Sequence, residues 1–294
     1  LALVNPNRLD EGEGAQFGLL AAVGVAWLLG AALVRTLRGR GWFASRPEPK
    51  LLNLLDIVAL GTVADVAKLR GLNRAFVAQG LKVMAGRQNV GLDALITASR
   101  LKAAPSCTDL GFALGPRINA GGRVGKSDLG VRLLTTQDPA EAREIADELD
   151  ALNTERRAIE ASVQAEAEEL ALRQANRAVA VVAGKGWHPG VIGIVAGRIK
   201  EKIGRPAIVI ALDGGVGKGA GRSVTGVDLG AAVLAAKDMG LLAAGGGHAM
   251  AAGLTVDEGR VEALADFLHD RLEGDVARAT ADRALLIDVL IAPG

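Results

Sequence analysis

At 294 residues the chain has room for about two domains and an ample core, and a formal net charge of +1 excludes a globally basic nucleic-acid binder. A single cysteine, Cys107, excludes an intramolecular disulfide framework and fits a reducing compartment. No tyrosine, 3% aromatic residues and three histidines leave little for base stacking, and a metal site would rest on carboxylates, favouring Mg²⁺ or Mn²⁺ over zinc.

In chain order, Leu1 to Val4 reads as the end of a buried strand and Asn5-Pro6-Asn7 as a turn. Phe17 to Val34 is an uncharged stretch of membrane-spanning length, with Arg35, Arg38 and Arg40 behind it. Its dilution by Ala, Gly18, Gly24 and Gly30 favours a buried helix of a soluble core instead. Leu51 to Leu60 reads as a strand-like apolar run ending in Gly61-Thr62-Val63-Ala64-Asp65. Asp65 then falls where an α/β sheet presents ligand-binding groups, or it caps a helix entered at Val66. Asn73-Arg74 opens a further helix, with Arg74 on the surface, and Gly91 to Ala98 holds another.

Gly111 to Ser127 spreads Arg117, Asn119, Arg123 and Lys126 among glycines, a composition suited to holding phosphates by guanidinium forks and bare backbone. Its end, Gly125-Lys126-Ser127, is not a nucleotide-triphosphate loop: that pattern needs Gly at Ala120 and a buried strand ahead, which Pro116 and Arg117 interrupt. Asp138-Pro139 starts a helix that runs to about Gln174, roughly 50 Å at 1.5 Å per residue. Its narrow stripe (Ile145, Leu149, Leu152, Ile159, Val163, Leu170) suits a connector between domains; the alternative, a coiled-coil dimer helix, would carry Ala and Arg156 in its seam.

A second domain follows, with strands at Ala178–Ala183, Pro206–Leu212, Gly217–Val224, Ala252–Val256 and Leu285–Ile291. Helices at Val191–Lys202, Val227–Met239 and Val261–Leu272 alternate with them, so the fold class is α/β. Gly245-Gly246-Gly247-His248 reads either as a loop whose bare backbone can approach an anion beside a histidine donor, or as a glycine-rich turn with a surface histidine. Lys185, His188, Lys218, Arg222 and His248 fall at loops or strand ends, consistent with one anion-binding face, whereas His269 reads as an ordinary surface residue.

Taken together, Gly61–Asp65, Gly115-Pro116-Arg117-Ile118-Asn119-Ala120, Trp187-His188-Pro189-Gly190-Val191-Ile192-Gly193, Gly221-Arg222-Ser223 and Gly245–His248 resemble the RecJ family of the DHH phosphoesterase superfamily. The resemblance implies two α/β domains, the C-terminal part of a DHH catalytic domain (1–137) and a nucleic-acid-binding DHHA1 domain (176–294), joined by a helix over 138–175. It implies a metal-dependent exonuclease that hydrolyses single-stranded DNA from 5′ to 3′ in repair and recombination, in the cytoplasm and as a monomer, without a membrane. Asp65 would be a catalytic Mn²⁺ or Mg²⁺ ligand. Arg117, Asn119 and Arg123 would contact phosphates, and His188, Arg222, Ser223, Gly246, Gly247 and His248 would line the DHHA1 wall, His248 as a catalytic clamp. The implied partners are single-stranded DNA, a single-strand-binding protein and a RecQ-type helicase.

One departure is plain: the chain contains no Asp-His-His, and all its histidines lie in the second half. The chain also opens on an apolar run without an initiator Met and closes three residues after another, so it reads as a fragment, inactive by itself. Two rivals remain: a phosphatase or phosphodiesterase for nanoRNA, pAp or cyclic dinucleotides, and a non-catalytic nucleic-acid-binding module. The long connector and the Gly-Pro-Arg-Ile-Asn segment argue against the first; the missing ligands favour the second.

Overall fold

The computed structural model describes residues 4–7 and 17–281, which form two compact units, Leu1–Glu155 and Arg156–Gly294. Of the strand expected at Leu1–Val4, residues 1–3 lie outside the described residues and Val4 is exposed without strand structure; the strand expected at 285–291 lies outside them entirely.

Within the first unit the described residues form helices and no strand. They are α1 (Ala22–Gly39), α2 (Leu55–Ala64), α3 (Gly71–Ala85), α4 (Val90–Ala98), α5 (Cys107–Asp109), α6 (Gly115–Val124), α7 (Leu129–Thr135) and the start of α8 (Pro139–Arg173). The strand expected over Leu51–Leu60 is therefore corrected to a 3₁₀ turn, Leu51–Leu54, running into α2. An apolar run this short does not distinguish a strand from a helix buried on most sides, and Leu55, Val58, Ala59 and Leu60 are all buried. α2 packs on α3 so closely that a Cβ on Gly80 would meet the Leu55 carbonyl at 2.1 Å. Leu92, Leu95, Ile96, Leu110, Leu114 and Leu133 complete the core with the first turns of α8, through Ala142, Ile145, Ala146 and Leu149.

α1 is not the buried helix expected. Gly24 and Val34 are its buried residues, and Leu29 and Leu33 are more than half exposed. One side is seated: Val23, Trp27 and Leu28 pack against Leu55, Val58 and Phe76, and the Trp27 indole donates to the Leu51 carbonyl at 2.9 Å. By length and composition it is the one helix among the described residues long and apolar enough to cross a membrane.

The second unit is a five-stranded sheet ordered β1-β2-β3-β5-β4, with β1 and β2 parallel and all other pairs antiparallel. The strands are β1 (Ala180–Lys185), β2 (Ala207–Asp213), β3 (Val216–Arg222), β4 (Ala244–His248) and β5 (Ala251–Asp257). Helices α9 (Ile192–Ile203), α10 (Leu229–Asp238) and α11 (Val261–Ala281) complete it. On one face, Val163, Ala167 and Ala171 of α8 and Val195, Ala196 and Ile199 of α9 bury Val182 and Val209. On the other, α10 and α11 bury Ile208, Ile210, Leu254 and Val256. α8 thus contributes one stretch to each unit's core, which explains an apolar stripe sustained over 35 residues. Arg156 and Glu160 form a buried ion pair on it, continued by Arg198 to Glu160 and by Lys202 to Glu168 across α8 and α9. Charges in the stripe are therefore met by charges on α9.

His269 is corrected as well. Half-buried on α11, its Nδ1 accepts the backbone N–H of Ala178 at 3.1 Å and ties the chain ahead of β1 to the helix.

Candidate metal ligand and nucleic-acid interface

In the first unit Asp65 is the C-cap of α2 (φ −81°, ψ −1°), neither at a strand end nor capping a following helix, since α3 begins at Gly71. Its carboxylate is exposed and has no hydrogen bond or ion pair among the described residues. It borders a cavity of about 390 Å³ lined also by Gly61, Ala64, Gly115, Ile118 and Asn119. An uncommitted carboxylate beside a carboxamide offers the hard oxygen donors that Mg²⁺ and Mn²⁺ take. The donor chemistry fits, but one carboxylate is not a complete site, and no group of three or more candidate ligands occurs among the described residues.

The segment expected to hold phosphates as a glycine-rich loop is helical, a π-turn over Leu110–Leu114 leading into α6. Helical geometry sorts its residues. Two residues are about 200° of rotation, so Arg117 and Asn119 point to opposite sides, whereas Asn119 and Arg123 at i, i+4 share one. Arg117 donates through Nε and Nη2 to Asp150 Oδ1, both at 2.8 Å, and through Nη1 to the Ala113 carbonyl at 2.8 Å. Asn119 lines the Asp65 cavity, and Arg123 is exposed one turn further on. Asp65 and Asn119 are brought together; Arg117 is committed to Asp150 instead.

In the second unit the glycine run is an edge strand rather than a loop. β4 pairs with β5 in the register Gly245↔Leu254, Gly246↔Gly253, Gly247↔Ala252, His248↔Ala251. Paired residues share a face, so β3, β5 and β4 contribute three cross-strand rows to one side of the sheet: Lys218-Thr255-Ala244, Ala220-Gly253-Gly246 and Arg222-Ala251-His248. A Cβ on Gly246 or Gly253 would meet nothing within 4 Å. The face is therefore a shallow floor of bare backbone and small side chains, with Lys218 at one end and Arg222 and His248 at the other. Lys218 Nζ donates to Thr255 Oγ1 at 3.1 Å. Arg222 Nη1 donates to the Gly221 carbonyl at 2.9 Å, and Nη2 lies 3.2 Å from where a Cβ of Gly193 would stand, in the first turn of α9.

His248 is exposed, and its Nδ1 accepts the backbone N–H of Met250 at 3.3 Å. His188, ahead of α9, accepts the N–H of Gly190 at 3.0 Å in the same way. An Nδ1 that accepts leaves the proton of the neutral ring on Nε2, so each histidine presents an N–H donor.

Two expected contacts are placed elsewhere. Ser223 is buried and its hydroxyl donates to the Val227 carbonyl at 2.8 Å, while its N–H donates to Met250. It braces the turn after β3. Gly247 faces the opposite side, where a Cβ would lie 2.3 Å from the Ala251 carbonyl. The pairing of Gly246 with Gly253 had not been foreseen from sequence; the alternation Lys218-Ala220-Arg222 along β3 was the available signal.

The model of the DHHA1 domain family matches residues 174–274, the stretch that holds this sheet. Along most of its length the chain is similar to proteins named single-stranded-DNA-specific exonuclease RecJ. It is 46% identical to RecJ of Dickeya dadantii over 273 residues, which are 89% of this chain and 47% of that protein. Against RecJ of Escherichia coli it is 40% identical over 305 aligned positions, covering 100% of this chain and 52% of that protein. Among solved structures, RecJ of Thermus thermophilus in complex with Mn²⁺ superposes with a TM-score of 0.70 at 35% identity, over 81% of this chain and 34% of that one. The same Thermus thermophilus protein in complex with Mg²⁺ gives 0.69 at 35% identity, over 81% and 36%. The chain spans about half the length of the curated relatives it matches.

Proposed function

We propose that this chain is the strand-gripping part of a metal-dependent exonuclease that degrades single-stranded DNA from the 5′ end. The observation carrying this reading is the sheet face of the second unit: a bare floor between cationic ends, on which a backbone can lie while Lys218, Arg222 and His248 meet its phosphates. Such a grip reads phosphate rather than base, so it accepts any sequence. Residues 1–137 act as the C-terminal part of a DHH domain, 138–175 as the connecting helix and 176–294 as the DHHA1 domain. Asp65 contributes one carboxylate toward Mn²⁺ or Mg²⁺, with Asn119 and Arg123 nearby for a phosphate. When bound, the ions supply an activated water and charge for the leaving oxygen. His248 and Arg222 hold the strand still and offset phosphate charge. Arg117 supports the first unit's Asn119 and Arg123 surface indirectly through Asp150. The protein works in the cytoplasm, in repair and recombination, with a single-strand-binding protein and a RecQ-type helicase as its companions.

The test compares turnover by the full-length protein, with Mn²⁺, on a long single strand, the matching duplex and a dinucleotide. Preference for the long strand, strongly reduced by His248→Ala, is the expected result. Faster turnover of the dinucleotide would favour a small-substrate phosphodiesterase, and turnover of none would favour a binding module.

A further inference from the structure

Val66 occupies the first position beyond the C-cap of α2, with φ +56°. Its N–H donates to the Val63 carbonyl at 3.0 Å and the N–H of Ala67 to that of Thr62 at 3.2 Å. These paired bonds close a helix whose next residue is left-handed. Glycine takes that position without strain, and a β-branched residue fits it worst. Among the described residues nothing offsets the strain: Val66 is 87% exposed. The two other left-handed non-glycine residues among those described, Arg87 and Arg100, each carry an ion pair, with Asp93 at 2.9 Å and with Asp150 at 3.6 Å. Among the described residues the Val66 side chain has neither packing nor a partner. Its neighbour is Asp65, whose carboxylate no other described group orients.

We propose that Val66 is a positioning residue for Asp65. The paired bonds hold Val66 in the left-handed region and its β-branched side chain narrows that well, so the direction of the Asp65 side chain is set before any ion arrives. Glycine there would close the helix with less strain but would let the cap swing. The fold gives up stability for an aimed carboxylate, as strained residues at functional sites do. This rests on the reading of Asp65 as a metal ligand.

The experiment uses the full-length protein with Val66→Gly, Val66→Thr and Asp65→Ala. The readouts are the thermal midpoint without metal, Mn²⁺ binding followed by electron paramagnetic resonance, and nuclease rate against Mn²⁺ concentration. Val66→Gly should raise the midpoint by a few degrees, weaken Mn²⁺ binding about tenfold and shift the half-maximal Mn²⁺ concentration upward by a similar factor. Val66→Thr keeps the β-branch without the apolar surface and should bind Mn²⁺ like the wild type. Wild-type Mn²⁺ binding in Val66→Gly overturns the proposal, as does an unraised midpoint. Equal impairment of Val66→Thr overturns it in favour of an apolar contact. Asp65→Ala separates the two readings: wild-type Mn²⁺ binding there removes the metal-ligand reading itself, whereas weakened binding there beside an unaffected Val66→Gly removes only the positioning role.

Discussion

Gly246 and Gly253 face each other across β4 and β5, and neither would meet an atom within 4 Å if it carried a Cβ. Neither has a left-handed backbone. The fold therefore has no steric or conformational need for glycine at either position, unlike Gly247 beside them. Space for a ligand is the remaining reason. Gly253→Val should keep or raise the thermal midpoint, since valine suits a strand, while affinity for a single-stranded oligonucleotide falls at least about tenfold, roughly 1.4 kcal/mol. Gly247→Val should instead destabilise the unit by about 2 kcal/mol or more. Melting curves and fluorescence anisotropy on the two variants check this; undiminished affinity in Gly253→Val would remove the floor from the binding face.

Lys218 and Arg222 stand four residues apart on β3, roughly 13 Å at 3.3 Å per residue, so they can meet different phosphates of one strand. Lys218→Ala should weaken binding by a similar factor for every base sequence. It should also reduce the slope of log affinity against log salt by about 0.7, the contribution of one phosphate contact in a single strand. An unchanged slope would show that Lys218 touches no phosphate.

Arg117 should act through the fold. Its guanidinium gives three hydrogen bonds to Asp150 and the Ala113 carbonyl, and side-chain exposure is 12% for Arg117 and 19% for Asp150. Arg117→Ala should cost about 2 kcal/mol of stability, as expected for a partly buried bond to a charged group. Asp150→Ala should produce a similar loss, with the double variant less than additive. Chemical denaturation measures all three. Additive losses would separate Arg117 from Asp150.

Asp56 is almost fully buried in the first turn of α2, where its Oδ1 accepts the Ile57 N–H at 2.7 Å. Burial pushes its carboxyl above the usual range, and that backbone bond only partly opposes the shift. With the folded value raised, its contribution to stability is complete below the unfolded value, about 3.9, and is lost as pH rises through the folded one. Asp56→Asn should therefore stabilise the protein at neutral pH by an amount on the order of 1 kcal/mol. The gain should vanish as the pH is lowered toward about 4. A gain that persists at low pH would mean that the charge is not its source.

Local chemistry in the sequence determined much of this protein. Asp138-Pro139 and a stripe of three- and four-residue steps marked α8, and alternating apolar runs marked β1, β2, β5 and the helices between them. The order of the glycine, arginine and histidine motifs carried the likeness to RecJ. What sequence could not reach was which residues meet. Leu51–Leu60 reads equally as strand or helix until α3 closes on it at Gly80. α6 was hidden because glycine and proline suggest a loop, although a helix tolerates Pro116 in its first turn. Arg117 looked available for phosphate until a 33-residue separation brought Asp150 to it. The binding face depends on register: Lys218, Gly246, Gly253 and His248 lie on three strands, and a shift of one residue in either pairing would turn β4 or β3 over. Periodicity carries the direction of each side chain within its own element. Only tertiary pairing, set by the burial of Leu254 and Val256 against α10 and α11, decided which directions coincide.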